Sequence, residues 1–465
     1  MFRIGHHFVS KSVSFLLVIE FLILLGSAYA GAVFRFDVDY LFTAKAANYS
    51  TTALTFAAVM SFTMTALGMY QGGMRDGIRS TVLRLMPASA LSFGILTLLF
   101  YMFPDLYFGR GILGAVFLIA ALAIITVRTV FFESSKSKFL RTRLMFLGAG
   151  RIAAECSALA ADETFKHKYS IVGYVPTGVE PAMLPTGELI SLVNESVMAT
   201  ALAHRVDEII VSVENRRGGM FPIKELLECK LKGIKVTDST AFFEREANQI
   251  RVDSLQPSWL VFGTGFDQSF LRMFCKRTFD IVMSTLLYIV ALPIMLITAL
   301  LIVLEDRGPV FYQQERVGLG GKSFMVLKFR SMRNDAEKSG KPQWAASDDP
   351  RTTVVGRFIR KFRIDEIPQI INVMNGEMSF VGPRPERPFF VDQLVQQVPF
   401  YNIRHSIKPG ITGMAQVRYQ YGASVGDAIQ KLQYDLYYVK NNSLFLDALI
   451  IIDTLQVVLF GKGAR

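Results

Sequence analysis

Cysteine is scarce in this sequence, with three in 465 residues: Cys156, Cys229 and Cys275. They are odd in number, far apart and not spaced as ligand pairs. That excludes a disulfide framework and a structural zinc site, and leaves free thiols of a reducing compartment. Charge is also sparse: 19% of the residues are Asp, Glu, Lys or Arg, while 51% are apolar. This is too apolar for an ordinary soluble enzyme and too charged for a chain that is membrane throughout. The charge is lopsided, 50 Lys and Arg against 39 Asp and Glu, a formal net charge of +11. No nucleic-acid recognition motif accompanies the excess, so no nucleic-acid partner is expected; anionic lipids or phosphate-bearing substrates are. The length leaves room for roughly two to four domains.

Long apolar runs are what the chain does have. Residues 15–34, 53–70, 82–103 and 112–132 are each close to the ~20 residues that cross a bilayer as a helix. The first is long, lacks a small-residue cleavage site and is followed by further spans, so it reads as retained rather than as a signal peptide. Arg3, Lys11, Arg75, Arg79, Arg84, Lys136, Lys138, Arg141 and Arg143 fall on one side of these spans; Arg35, Lys45 and Arg110 fall on the other. The positive-inside bias puts the N-terminus and everything after the fourth span in the cytoplasm. Glu20 lies inside the first span, where an acid marks either a functional site or a helix–helix pair.

Residues 1–135 thus form a four-helix transmembrane region, and 136–265 a soluble α/β segment. An apolar strand at 143–147 runs into Gly148-Ala149-Gly150-Arg151-Ile152-Ala153, and further strands are expected at 170–175, 208–213 and 234–237. Strands alternating with helical patterns predict a doubly wound parallel sheet. Gly148, Gly150 and Ala153 make a degenerate G-x-G-x-x-A turn. The second strand ends Gly173-Tyr174-Val175-Pro176, without the acid that would hold a ribose. An empty or regulatory Rossmann-like domain is therefore favoured over a working dinucleotide site. The segment also lacks a Tyr-x-x-x-Lys pair, which argues against a tethered nucleotide-sugar epimerase or dehydratase. A non-catalytic membrane scaffold is the other alternative, and it predicts indifference to Asp365→Asn.

A fifth apolar stretch, about 279–304, is interrupted by Pro293. Arg272, Lys276 and Arg277 precede it, and Arg307, Arg316 and Lys322 follow. With both ends basic, a re-entrant helix–break–helix is expected rather than a kinked span. The break needs local hydrogen-bonding partners, for which Ser284 and Thr285 are candidates. Residues 266–465 form the last, basic domain. Near its end, residues 444–460 are apolar but carry Asp447, Asp453 and Gln456, which predicts a helix lying in the membrane interface.

The chemistry concentrates in this domain. Asp365 and Glu366 are adjacent and precede Pro368 and an apolar helical run. Proline is tolerated in a first helical turn, so both carboxylates sit near a helix N-terminus, where anions are favoured. Upstream, Arg357, Arg360, Lys361 and Arg363 alternate with Phe358, Ile359 and Phe362, the pattern of a basic amphipathic helix at a membrane surface. Ser379-Phe380-Val381-Gly382-Pro383-Arg384-Pro385-Glu386 presents one guanidinium from a rigid turn. Lys328 and Arg330 flank Phe329, and the Gly-rich stretch 408–417 contributes Thr412 and Gln416. Singly, each is an ordinary cap or turn; together they predict a phosphate-handling site.

These residues also run in the order of a known family. From Lys276-Arg277-x-Phe279-Asp280 the chain continues through Pro293, Gly308-Pro309-Val310-Phe311, Gln314-Glu315-Arg316-Val317-Gly318 and Lys328-Phe329-Arg330-Ser331-Met332. Asp349-Pro350-Arg351, Asp365-Glu366-x-Pro368-Gln369, Gly382-Pro383-Arg384-Pro385, Lys408-Pro409-Gly410-Ile411-Thr412-Gly413 and Tyr434-Asp435-x-Tyr437-Tyr438 complete the series. The sequence resembles the bacterial sugar transferases, monotopic polyprenyl-phosphate phosphoglycosyl transferases, in their large membrane form from exopolysaccharide and exosortase clusters. It departs from them at Leu292-Pro293, where the family often has Ser-Pro.

The resemblance implies a ping-pong reaction at the inner membrane. Asp365 attacks a UDP-sugar, UMP leaves, and polyprenyl phosphate takes the phosphosugar from the aspartate. It implies Mg²⁺ held by Asp365 and Glu366, whose division of roles stays open. It further implies phosphate and nucleotide contacts from Lys328, Arg330, Arg384, Thr412 and Gln416, and lipid headgroups at Arg357, Arg360 and Lys361. Glucose, galactose and an N-acetylated amino sugar all remain open, with residues 419–421 as candidate pocket lining. A homodimer through the Rossmann-like part is expected.

Overall fold

The computed structural model describes residues 2–460 except 5, 6, 10, 37–48, 68, 71–77, 107–109, 136–140, 163, 164, 166, 167, 178–180, 182, 185, 195, 214–220, 253–265, 267, 268, 334–350, 420, 421 and 423. The chain divides into two compact units, residues 9–247 with 1–2, and residues 248–465 with 3–8.

The first unit begins with the helices Lys11–Phe36, Tyr49–Ala66, Ile78–Met102 and Arg110–Ser135. Their shared core alternates small and large side chains: Ala28, Ala53, Ala57 and Ala120 against Leu24, Phe56, Met60, Leu96 and Val116. Small residues let helix backbones approach closely, and Gly31 shows how closely; a Cβ there would lie 2.5 Å from Val116 Cγ2. Glu20 and Arg128 are both buried in this bundle and form a two-pronged ion pair (2.5 and 3.0 Å); Tyr70 also donates to Glu20. Of the two meanings open to Glu20, the structure favours the helix–helix pair.

Among the described residues four helices are long and apolar enough to cross a membrane: Ser14–Phe34, Thr81–Met102, Gly111–Phe131 and Phe270–Asp306. The 18-residue helix Tyr49–Ala66, expected as a span, is not among them. Its serines and threonines lower its hydropathy, and several turn back onto the bundle, as when Thr63 Oγ1 meets Ser92 Oγ at 2.5 Å.

The α/β part follows the sequence pattern closely. Strands Thr142–Leu147, Tyr169–Val175, Glu208–Val211 and Lys235–Asp238 form one parallel sheet, with the second strand outside the first and the third and fourth on its other side. Helices Arg151–Ala161, Val197–Ala203 and Ile223–Leu231 connect the strands, and Ser239–Ala247 follows. Gly148 ends the first strand at φ +115°, and a Cβ on it would lie 2.9 Å from the Ser212 carbonyl oxygen. Glycine is therefore required there by both conformation and space.

The second unit is organised around the helix Phe270–Asp306, 37 residues long and continuous through Pro293. Much of its apolar surface is exposed, including Leu286, Ile289, Val290, Leu296, Ile297 and Leu300. Ser284 Oγ is buried without a hydrogen-bond partner among the described residues, so this hydroxyl does not serve the backbone freed by Pro293. The polar face of the helix docks inward. Lys276 donates to Asp447 (2.7 Å) and to the Val381 carbonyl (3.2 Å), while Asp280 accepts from Ser379 Oγ and the Phe380 amide, both at 3.0 Å.

The last helix, Leu444–Phe460, also turns its acids into the protein. Asp447 receives Lys276 and the buried Tyr438 hydroxyl, and Asp453 pairs with Arg418. Both acids of this helix are thus ion-paired within the unit, and Leu444, Phe445 and Leu455 face outward.

Candidate active site

The chain enters the site along the helix Val354–Lys361. Thr353 caps its start by accepting from the Gly356 amide, and Glu305, from the end of the long helix, accepts from the amides of Val354 (2.7 Å) and Val355 (3.2 Å). Carboxylates are favoured at that end of a helix. A Cβ on Gly356 would lie 2.0 Å from the Ser331 carbonyl oxygen, so this helix sits directly on the segment that follows Lys328 and Arg330. Ile359 is buried beneath the helix; Phe358, Phe362, Arg357 and Lys361 are exposed.

The helix ends at Arg363, whose φ of 55° is left-handed, a strained choice for a residue with a side chain. One 3₁₀ turn follows, Ile364–Glu366, and Pro368 then opens the helix Gln369–Asn375. Asp365 and Glu366 thus occupy a tight turn immediately ahead of a helix N-terminus.

Two cations converge on this turn from distant parts of the chain. Lys328 lies on the strand Ser323–Phe329, paired antiparallel with Phe311–Val317. Asn372 stitches the helix after the turn to that strand: its Oδ1 accepts from the Leu327 amide (2.9 Å) and its Nδ2 donates to the Met325 carbonyl (2.8 Å). Arg384 comes from the turn after the strand Ser379–Val381, which pairs in parallel with Gly410–Thr412. Lys328 Nζ (3.0 Å) and Arg384 (2.8 Å) both donate to Glu366 Oε1, and Arg363 stands 3.9 Å from Oε2.

Asp365 is treated differently. It is partly buried and has no hydrogen bond or ion pair among the described residues. Burial, and then the charge of Glu366, raise its carboxyl above the ordinary range, against the pull of Lys328, Arg360 and Arg384. Burial would raise Glu366 too, but Arg384 and Lys328 outweigh it and hold that carboxyl well below the ordinary range. Two neighbouring acids therefore have distinct environments: Glu366 is a fixed anion between cations, and Asp365 is an unengaged carboxylate beside them.

The other expected site residues are distributed around this centre. Arg360 contributes charge to Asp365 and donates to Thr352 Oγ1 (3.3 Å). Arg330 is turned away, to Asp306 at the end of the long helix. Thr412 Oγ1 meets Thr454 Oγ1 at 2.7 Å. Gln416 folds back onto the Ile411 carbonyl (3.1 Å), and its own Oε1 is buried without a partner among the described residues. Lys361 lies 5.8 Å from the centre of the Phe362 ring. Residues 420 and 421 of the expected sugar pocket, and 349 and 350, lie outside the described residues.

Sequence reading missed Asn372, Glu305 and Asp306 as supports. Asn372 stood four residues beyond Pro368, one helical turn on, which was the available signal. Nothing local marked the other two. Among the described residues no group of three or more His, Cys, Asp or Glu gathers as a metal cage. The adjacent carboxylates nonetheless suit Mg²⁺, which takes one or two carboxylates and completes its shell with water and substrate phosphate.

Comparison with known proteins finds similarity over this unit. A profile described as "Bacterial sugar transferase" matches residues 271–461. The chain is 38% identical over 291 residues to a UDP-N-acetylgalactosamine-undecaprenyl-phosphate N-acetylgalactosaminephosphotransferase of Aeromonas hydrophila, covering 61% of this chain and 68% of that one. It is 40% identical over 194 residues to an undecaprenyl-phosphate glucose phosphotransferase of Komagataeibacter xylinus, covering 41% of this chain but 36% of the relative. A UDP-glucose:undecaprenyl-phosphate glucose-1-phosphate transferase of Escherichia coli is 40% identical over 193 residues, 41% of each chain.

Proposed function

Because this chain belongs to the bacterial sugar transferase family, it is a phosphoglycosyl transferase, and we propose that it moves a hexose-1-phosphate from a UDP-sugar to undecaprenyl phosphate, releasing UMP. The observation that carries the proposal is the asymmetry of the acid pair. An enzyme that works through a covalent carboxylate needs one acid free to attack and cations close by to offset the charge of the incoming phosphates. Asp365 is unengaged, and Lys328 and Arg384 meet at its neighbour.

In this reading a carboxylate oxygen of Asp365 attacks the sugar-bearing phosphorus. The bond from that phosphorus to the bridging oxygen breaks, and its electron pair leaves with UMP. An aspartyl phosphosugar remains. An oxygen of undecaprenyl phosphate then attacks the same phosphorus, forming the polyprenyl-diphosphate-sugar and restoring the Asp365 carboxylate. Both nucleophiles are anions, so neither step requires a proton to be removed. Glu366 holds Lys328 and Arg384 where the phosphate charges arrive. Mg²⁺ held by the Asp365 and Glu366 carboxylates would supply further neutralisation of the diphosphate.

The surroundings take matching roles. The long helix, though continuous through Pro293 here, would bend at that proline in the bilayer to enter and leave by one leaflet, so that Asp365 meets a lipid phosphate at the interface. Arg357 and Lys361, with Phe358 and Phe362 between them, rest among headgroups. The catalytic unit faces the cytoplasm from the inner membrane, and the reaction opens exopolysaccharide assembly. The parallel sheet is a Rossmann-like regulatory domain through which two copies pair.

The test is UMP release from a panel of UDP-sugars with undecaprenyl phosphate and Mg²⁺, comparing wild type with Asp365→Asn. Release by the wild type alone, dependent on acceptor and metal, supports the reading and identifies the sugar. Equal release by both proteins removes Asp365 as nucleophile.

A further inference from the structure

The turn that presents Arg384 is held unusually hard. Pro383 and Pro385 fix two of its φ angles and remove two amide donors, so the turn is gripped through its carbonyls. All four are taken. Pro383 O accepts from the Gly410 amide (2.9 Å), Arg384 O from the Arg404 guanidinium (2.8 Å), Pro385 O from the Arg316 guanidinium (3.0 Å), and Glu386 O from the Val317 amide (2.9 Å). Ordinary backbone donors serve the two outer carbonyls, whereas charged side chains serve the two central ones.

Arg404 is the more deeply committed of the two. It is buried on the 3₁₀ segment Tyr401–Ser406, pairs with the buried Asp435 (2.8 Å) and donates to the Tyr401 hydroxyl (2.6 Å). Burying a guanidinium and a carboxylate together to hold one peptide carbonyl is a poor way to gain stability, because the desolvation cost rivals the attraction. It is a good way to fix a position. The turn is largely buried, with Pro383 and Pro385 buried and Arg384 and Glu386 half-buried, so its carbonyls need protein donors, and a side chain held by its own buried partners fixes them in place.

We propose that Arg404, oriented by Asp435 and Tyr401, is a positioning residue for Arg384: it sets the backbone from which the Arg384 guanidinium reaches Glu366 and, on the function proposed above, the donor phosphates. Arg404 does not touch substrate in this scheme. Its effect passes through Arg384 and vanishes when Arg384 is gone.

The experiment is a double-mutant cycle on the full-length protein, with UMP release from the accepted UDP-sugar as the rate. Arg404→Lys keeps a buried cation but cannot hold Asp435, Tyr401 and the carbonyl in one fork. It is expected to lower kcat about 10–100-fold, the usual consequence of misplacing a catalytic group by about an ångström. In an Arg384→Met background the same change is expected to cost less than about 2-fold. Tyr401→Phe, a gentler variant, should show the same dependence on Arg384 with a smaller loss.

A cycle in which the two losses multiply independently overturns the proposal. So does a loss that follows the fraction of unfolded protein at unchanged kcat of the folded enzyme. Hydrogen exchange supplies a readout independent of turnover. Arg404→Lys should speed exchange at the amides of Gly382, Arg384, Glu386 and Arg387 while leaving helix Val425–Asn441 protected; unchanged exchange at the turn also overturns it. If the wild type releases UMP from no donor, it is the proposed function that fails, and the exchange experiment still decides whether Arg404 holds the turn.

Discussion

The sheet of the first unit and the Asp365 turn of the second both bury several charges, yet they treat their acids differently. At the foot of the sheet, Glu208 takes Arg245 (2.8 and 3.2 Å), Lys235 (3.1 Å) and the Thr237 hydroxyl, and Glu246 takes Arg245 (2.6 Å), Lys168 (2.5 Å) and the Tyr169 hydroxyl (2.6 Å). Each carboxylate oxygen there has a donor. Burial would raise Glu208, but Arg245, Thr237 and Lys235 together keep its carboxyl below the ordinary range. At the Asp365 turn the saturation stops partway: Lys328 and Arg384 both donate to one oxygen of Glu366, Arg363 stands 3.9 Å from the other, and Asp365 has no hydrogen bond among the described residues. Buried polar networks are stable when complete. A network left incomplete by one carboxylate, beside surplus cations, is where chemistry is to be sought.

The largest test of that contrast is Asp365→Asn. It should reduce UMP release by on the order of 10³-fold or more while leaving the thermal midpoint near that of the wild type, because no protein contact is lost. A variant that unfolds, or one that still turns over, would erase the distinction between the two clusters. The mirror experiment is Glu208→Gln. It leaves the buried Arg245 without its full counter-charge and should cost about 3–5 kcal/mol of stability, read by thermal denaturation in detergent, with kcat of the folded enzyme unchanged. Arg384→Met stands between the extremes. It should lower kcat/KM by about 10²–10³-fold, as loss of a charge-stabilising donor does, with Lys328 still satisfying Glu366. Smallest is Gly148→Ala in the turn above the sheet. Its left-handed backbone and the nearby Ser212 carbonyl predict a loss of about 1–3 kcal/mol in the melting experiment and no change in UMP release.

Local patterns in the sequence carried well into the structure. The strands expected at 143–147, 170–175, 208–213 and 234–237 each appear within two residues, because a buried parallel strand is a short apolar run with turn residues at its ends. The acid pair, Lys328 and Arg384 were legible as candidates, and the structure brings them together. Their arrangement was not legible. Nothing near Asp365 says that Glu366 will receive a lysine 38 residues upstream and an arginine 18 residues downstream while Asp365 receives neither. Arg330, two residues from Lys328 on the same face of the strand pattern, looked equivalent to it; the structure sends it to Asp306, just past the strand end. Asp447 and Asp453 were legible as polar interruptions of an apolar helix, but their distant partners, Lys276, Tyr438 and Arg418, were not.

The grip that Glu305 and Asp306 exert on the basic helix and on Arg330 makes the long helix a ruler with a fixed phase. Each residue added to an α-helix advances its end by about 1.5 Å and rotates it by about 100°. One residue inserted between Pro293 and Glu305 would swing both acids off Val354 and Arg330 and disconnect the helix end from the catalytic turn. Only changes of three or four residues, close to a whole turn, come near to restoring the facing, and they shift the helix end by about 4.5 Å or about 6 Å along the axis. The spacing between Pro293 and the acids that hold the basic helix is therefore adjustable in steps of about one turn and not continuously.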